Sequence, residues 1–230
     1  SLRGDLLGAE RDFAGAELAY TNAIENRRRG SLDHAKRGFA RVALQNLNGA
    51  AEDAAVLQKT APDFQLGRYL AGLVYVGQED IVHAREELER AYQLAPRHLQ
   101  TVFLLAAVEA RQGNENRARQ LAEEAVAIQP SFIPARKLMA SWYLRDRKGN
   151  EAEEMVRPIV QTKPDDMQAK NMLAAALIAQ GKGEEATVLL QVIAEQQPDS
   201  PLAQLRAGLG LLSSGDAEAG VAALERAAAL

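Results

Sequence analysis

The 230-residue chain contains no cysteine, which excludes disulfides, zinc–thiolate sites and thiol nucleophiles but leaves the redox compartment open. Aromatic residues make up only 5%, and β-branched runs bounded by turns are scarce, so little of the chain reads as strand. No apolar run approaches the roughly 20 residues that a membrane-spanning helix needs. No basic start followed by an apolar stretch marks a secretory leader. A basic excess is missing as well: 27 Lys and Arg stand against 31 Asp and Glu, a net charge of −4, whereas nucleic-acid binders carry strong positive patches. Gly-rich phosphate loops and nucleophile elbows are absent. Of the three histidines, His34, His83 and His98, no two stand four apart, and without cysteine they offer no zinc-site pattern. Glu86, Glu87 and Glu89 alternate with Arg85 and Arg90 and read as an exposed helix face, not an acid/base pair. The residues therefore point to no catalytic group, no metal and no cofactor.

Helix formers are what the chain has in abundance. Hydrophobic residues reach 47%, many of them alanine, the residue with the best intrinsic helix propensity. Length alone allows one or two domains. The organising signal is a repeat. Pro62, Pro96, Pro130, Pro164 and Pro198 follow one another at intervals of 34 residues. Setting each proline at position 32 starts repeats at residues 31, 65, 99, 133, 167 and 201. Position 8 then reads Gly38, Gly72, Ala106, Ala140, Ala174 and Gly208, and position 20 reads Ala50, Ala84, Ala118, Ala152, Ala186 and Gly220. Larger apolar residues recur at position 24 (Leu88, Val156, Leu190, Leu224) and position 27 (Leu57, Ile159, Ile193). Small residues where two helices approach, with larger ones around them, are what dense packing demands.

Each repeat reads as a helical hairpin, helix A over roughly positions 1–14 and helix B over roughly 18–31. The turns between them carry Asn46-Leu47-Asn48-Gly49, Gly113-Asn114, Gly149-Asn150, Gly181-Lys182-Gly183 and Gly215-Asp216, residues that tolerate the left-handed backbone ending a helix. Between repeats, Pro62-Asp63, Pro164-Asp165-Asp166 and Pro198-Asp199-Ser200 stop helix B and supply caps for the next helix. This pattern resembles the tetratricopeptide (TPR) repeat, whose period is 34. The resemblance implies an all-α, right-handed superhelical solenoid: a single array over 1–230, with a partial repeat at 1–30 and repeats at 31–64, 65–98, 99–132, 133–166, 167–200 and 201–230. Neither end carries the polar-faced terminal repeat that solenoids use. The expectation is a piece cut from a longer array, with uncapped ends open to self-association. Two departures stand out. Arg27-Arg28-Arg29-Gly30 replaces a proline turn and reads as a solvated loop with Ser31 capping the next helix, or as an anionic contact. Pro158 falls inside a helix B, where an interior proline costs about 3 kcal/mol and kinks the helix.

In the TPR family the A helices line a concave groove, through positions 2, 5, 6, 9, 12 and 13. Of the 36 such residues, 24 are apolar and none is acidic, where chance would place about five acids. Lys36, Arg111, Lys137, Arg145 and Arg206 are the bases. A mildly positive, apolar groove favours an amphipathic or acidic protein segment. The expected partner-binding residues are Tyr69, Leu73, Val76, Phe103, Ala107, Arg111, Lys137, Ser141, Arg145, Asn171 and Arg206. The carboxylate-clamp pattern of chaperone-binding TPR domains is missing: Lys137 sits at position 5, but Ser141 holds the position-9 site where that pattern wants Asn.

A narrower resemblance lies in Leu99-Gln100-Thr101-Val102-Phe103-Leu104-Leu105-Ala106-Ala107-Val108-Glu109, Ala135-Arg136-Lys137-Leu138-Met139-Ala140, Trp142-Tyr143-Leu144-Arg145 and Arg157-Pro158-Ile159-Val160. These are similar to the TPR-repeat lipoproteins of bacterial PEP-CTERM/exosortase systems. That resemblance implies a non-catalytic scaffold of the periplasm or cell envelope, its parent lipid-anchored, acting in exopolysaccharide production or PEP-CTERM protein sorting. The alternative is a cytoplasmic TPR adaptor holding a peptide of a regulatory or chaperone partner.

Overall fold

The computed structural model describes residues 1–26 and 30–230; the Arg27-Arg28-Arg29 segment lies outside the described residues. These form two compact units, residues 1–129 and 130–230. The first holds α1 (Leu2–Ala9), α2 (Phe13–Asn26), α3 (Ser31–Ala43), α4 (Leu47–Thr60), α5 (Gln65–Gly77), α6 (Ile81–Leu94), α7 (Leu99–Arg111) and α8 (Glu115–Ile128). The second holds α9 (Ile133–Arg145), α10 (Gly149–Thr162), α11 (Met167–Ala179), α12 (Gly183–Gln196), α13 (Pro201–Ser213) and α14 (Ala217–Ala229). Among the described residues there is no strand. In each unit every helix packs on the next one in the chain, and A helices also meet, α3 on α5 and α9 on α11. From α3 to α13 the helices occupy repeat positions 1–13 and 17–30, each ending one residue earlier than the sequence suggests, and α14 covers positions 17–29.

The reason for that earlier end is the connection. Arg11, Gln45, Glu79, Gly113, Arg147, Gly181 and Gly215 all have positive φ, between 59° and 93°. They are spaced 34 apart, at position 15. In each turn the N–H of position 16 donates to the carbonyl of position 11, at 2.8–3.0 Å, and the position-15 N–H donates back to position 12, which is the Schellman closure of a helix. Position 16 then serves as N-cap of helix B: the side chains of Asp12, Asn46, Asp80 and Asp216 accept from the N–H three residues on. Gly49 and Gly149 are not the left-handed residues the sequence pointed to. Both lie inside helix B, and at Gly149 a Cβ would sit 2.8 Å from the Ala176 carbonyl oxygen. The left-handed work in those two turns falls to Gln45 and Arg147.

The prolines act through the residue before them. Ala61, Ala95, Lys163 and Gln197 take φ between −149° and −130°, the extended backbone that a following proline enforces. Of the expected caps, Asp166 and Ser200 accept from Ala169 and Ala203. Asp63 does not cap, because Phe64 occupies the cap position of α5. Ser31 does not either: it is the first residue of α3, and Gly30 precedes it as the cap position without a side-chain bond.

Positions 8 and 20 are buried in all six repeats. A Cβ on Gly38 would come within 2.3 Å of Leu70, one on Gly72 within 2.6 Å of Leu88, and one on Gly208 within 2.9 Å of Leu224. The core of the first unit includes Ala54, Leu57, Leu70 and Val74; that of the second includes Ala140, Val156, Leu173 and Leu177, continued by Leu190, Ile193 and Ala207. Each fully buried Leu, Ile or Val among them contributes roughly 1.5–3 kcal/mol.

Helix α10 runs unbroken through Pro158, which sits on its exposed face. Proline has no N–H, so the Glu154 carbonyl one turn back loses its helical partner. Arg136 of α9 supplies the replacement. Its Nη2 donates to the Glu154 carbonyl, its Nε to the Met155 carbonyl at 2.8 Å, and its Nη1 to the Pro130 carbonyl at 2.9 Å.

Two outcomes follow from the backbone. Gly113→Ala should lower stability by about 1 kcal/mol, the cost of left-handed geometry for an L side chain, whereas Arg147→Gly should raise it by about 0.5 kcal/mol after the added freedom of the unfolded chain is subtracted; urea unfolding midpoints distinguish the two signs. Arg136→Ala should cost about 1–3 kcal/mol. In a Pro158→Ala background, where the Glu154 carbonyl regains a helical N–H, the loss should shrink, and a double-mutant cycle measures the coupling.

Candidate functional site

The expected contact residues divide between the two units. In the first, Tyr69 of α5 is half-buried between aromatic neighbours: its ring lies 5.8 Å from that of Phe39 and 5.4 Å, edge-on, from that of His98. Burial raises the pKa of the Tyr69 hydroxyl. Leu73, Val76, Phe103 and Ala107 are half-buried on α5 and α7, and Arg111 is exposed at the end of α7. Leu70, at position 6 of the same expected face, is fully buried and belongs to the core. Packing between A helices thus claims part of the apolar surface that the sequence left open to a partner.

In the second unit Lys137 is engaged. Its Nζ lies 2.7 Å from the Asp166 carboxylate and 3.1 Å from the Gln168 side-chain oxygen. Burial works against the Asp166 carboxylate, but the Lys137 ammonium and the Ala169 N–H outweigh it and hold its pKa below the ordinary value. In the first unit Lys36 pairs in the same way with Asp5 at 2.6 Å. The A-helix positions are free of acids, yet acids from α1 and from the cap before α11 reach them, so the positive surface inferred from position counting is partly neutralised. Ser141 is exposed and donates to the Leu138 carbonyl at 2.6 Å; Arg145 is exposed, its Nε 3.6 Å from Asp146.

Asn171 and Arg206 are the two expected residues that come together. Arg206 Nη1 donates to Asn171 Oδ1 at 2.8 Å, joining α13 to α11. They stand at the edge of a groove of about 540 Å³ walled by α11 and α13, with α12 along its base. Ile178 and Leu209 line its walls while remaining 57% and 54% exposed, and Ala186 and Leu190 line its base. Arg206 is the one charged side chain among the described lining residues. Sequence reading assigned these residues to an A-helix face but did not foresee that α11 and α13 stand apart there. The signal was the pair Gly181 and Gly183, where a Cβ would meet nothing within 4 Å, whereas Gly210 lets α13 approach Thr187 of α12 closely.

Two family models of the tetratricopeptide repeat match the chain, one over residues 69–131 and one over residues 143–209, spans whose A-helix, Schellman-turn and B-helix geometry is described above. The chain is a TPR repeat protein. Solved structures agree on the fold. A thermophilic TPR protein of Thermus thermophilus superposes with a TM-score of 0.63 at 20% identity, covering 76% of this chain and 95% of that one. MamA AMB-1 gives 0.65 at 17% identity, covering 72% and 91%, and MamA of Desulfovibrio magneticus RS-1 gives 0.63 at 14%, covering 69% and 90%. No curated protein matches the sequence. TPR repeats serve as protein-interaction scaffolds, and TPR families are in general non-catalytic. Among the described residues no three His, Asp or Glu gather as a metal site, and no helix is long and apolar enough to cross a membrane.

Other polar groups of this TPR protein serve its architecture. Trp142 is buried. Glu87, expected on an exposed face, is only 7% exposed and binds Arg68 at 3.0 Å and Arg90 at 2.9 Å. Asp53 is wholly buried and accepts from Arg37 at 2.7 Å, Arg41 at 3.0 Å and His34 at 2.8 Å. Such burial is tolerated only because each charge is paired.

His98 caps α7, its Nδ1 accepting the Thr101 N–H at 3.3 Å, with the Thr101 hydroxyl at 2.7 Å and the Gln65 amide at 3.0 Å. Burial lowers its pKa below the ordinary 6.5. The folded chain therefore binds that proton less readily than the unfolded chain. Stability from neutral His98 is present above about pH 6.5 and lost as pH falls below it. His98→Asn keeps a capping acceptor without the titration, so the fall in urea midpoint between about pH 7.5 and pH 5 should be smaller in the variant than in the parent.

Proposed function

We propose that this TPR protein is a non-catalytic scaffold that holds an amphipathic or acidic segment of a partner protein against its A helices. The observation that carries the reading is the apolar α11–α13 groove, with its exposed Ile178 and Leu209 and, among the described lining residues, a single charged group, Arg206, at its edge. Exposed apolar surface of this kind marks interaction sites. In the first unit Leu73, Val76, Phe103, Ala107 and Arg111 offer a second stretch of the same kind. The 34-residue proline register runs without interruption from Pro62 to Pro198, which supports treating the two units as one array.

We further propose that the scaffold works in the bacterial cell envelope, in exopolysaccharide production or PEP-CTERM protein sorting. The residues of 99–109, 135–145 and 157–160 support that placement by their likeness to the TPR lipoproteins of those systems. The experiment compares the natural protein with an Ile178→Arg/Leu209→Arg variant in the source bacterium. The natural protein should fractionate with the envelope and co-purify with components of the sorting or polysaccharide machinery, and the variant should lose those components at unchanged abundance. Recovery in the soluble cytoplasmic fraction would assign the adaptor role instead, and equal recovery of partners by both forms would remove the groove from the mechanism.

A further inference from the structure

The α11–α13 slot restricts what conformation a bound segment can have. Its polar side chains already serve their own helices. Thr187 donates to the Gly183 carbonyl at 2.9 Å, Ser213 to the Gly210 carbonyl at 2.8 Å, and Asn171 Nδ2 to the Met167 carbonyl at 2.8 Å. The walls are helices, whose backbone groups are bonded internally. An extended segment pressed into the slot would bring N–H and C=O groups against a surface with few partners to give, at roughly 1–3 kcal/mol for each one left unpaired. A helix arrives with its backbone already satisfied and presents only side chains. Ala175 is a small wall residue, and a Cβ on Gly181 or Gly183 at the rim would meet nothing within 4 Å, so room remains for the side chains the helix inserts. Charge sets the second constraint. Among the described residues no acid lines the slot, and Arg206, oriented by its bond to Asn171, remains exposed at the edge.

We infer that the α11–α13 slot receives a single amphipathic helix of a partner protein, its apolar stripe against Met172, Ile178 and Leu209 and a carboxylate against Arg206. This rests on the interaction-surface reading above and adds the conformation and charge of the partner. Such a helix carries apolar anchors three and four residues apart, with Asp or Glu flanking the stripe.

The test pans two peptide display libraries against the full chain, one of helix-forming sequences and one of linear random sequences, and retains binders that fail to bind the Ile178→Arg/Leu209→Arg form. Helix-library binders with the apolar spacing and a flanking acid should be enriched, and they should gain helical circular dichroism on binding. Arg206→Glu, an exposed change expected to leave the thermal melt intact, should weaken them about tenfold or more, and a Lys in place of the peptide acid should restore affinity to that variant. Groove-dependent binders drawn only from the linear library, rich in proline and without helical signal, would overturn the helix assignment while leaving the interaction surface standing. Indifference of the binders to Arg206→Glu would overturn the carboxylate. Absence of any groove-dependent binder from either library would sink the interaction surface itself.

Discussion

Two helices of a hairpin can approach closely only where neither carries a large side chain at the crossing, and everything else in this protein is arranged around that contact. At positions 8 and 20 the chain places Gly or Ala in every full repeat, and the space gained is filled at once by a leucine from across the interface, Leu88 against Gly72 or Leu224 against Gly208. Gly38 makes room for Leu70 of the following repeat, so the same rule governs the step from one hairpin to the next. At Gly38, Gly72 and Gly208 dense packing leaves no slack for a methyl. The three-residue connection between A and B follows from the close approach. It must end one helix and cap the next, which forces a left-handed residue at position 15 whether or not glycine is there. Gln45, Glu79 and Arg147 accept that strain because the Schellman bonds and the packed hairpin on either side over-determine it.

Burial creates polar obligations that the repeat pattern does not meet by itself. Pro158 removes an N–H and leaves a carbonyl of α10 open to the preceding helix, α9. The guanidinium of Arg136 answers it, and so turns a helix-breaking residue into a link between α9 and α10. Asp53 is drawn fully inside and held by two arginines and a histidine. These are solutions particular to one repeat, laid over an architecture common to all, and each ties helix A of its hairpin to helix B.

The surface available to a partner is what remains after these internal demands are met. In the first unit they consume Leu70 and much of Tyr69. Around α9 and α11 they neutralise Lys137. Between α11 and α13 they leave an apolar slot edged by one arginine, with its polar side chains turned back on their own helices. A scaffold of this kind discriminates less by hydrogen bonds from its walls than by requiring the partner to satisfy its own backbone before it enters.

The sequence by itself determined the repeat: its period, the fold class, the small residues at the crossings and the prolines that separate hairpins, because each is enforced by local sterics that recur with every copy of the motif. Tertiary structure decided what spacing alone does not encode. It made Gln45 and Arg147 the left-handed residues, because the connection length, not the nearest glycine, sets where the helix ends. It brought Asp5 and Asp166 to Lys36 and Lys137, since charges distant in sequence meet only when helices stack. It also settled which positions of the A-helix face stay open, because exposure depends on how far apart neighbouring helices stand, and that distance is set by the packed volume of side chains lying on three helices at once.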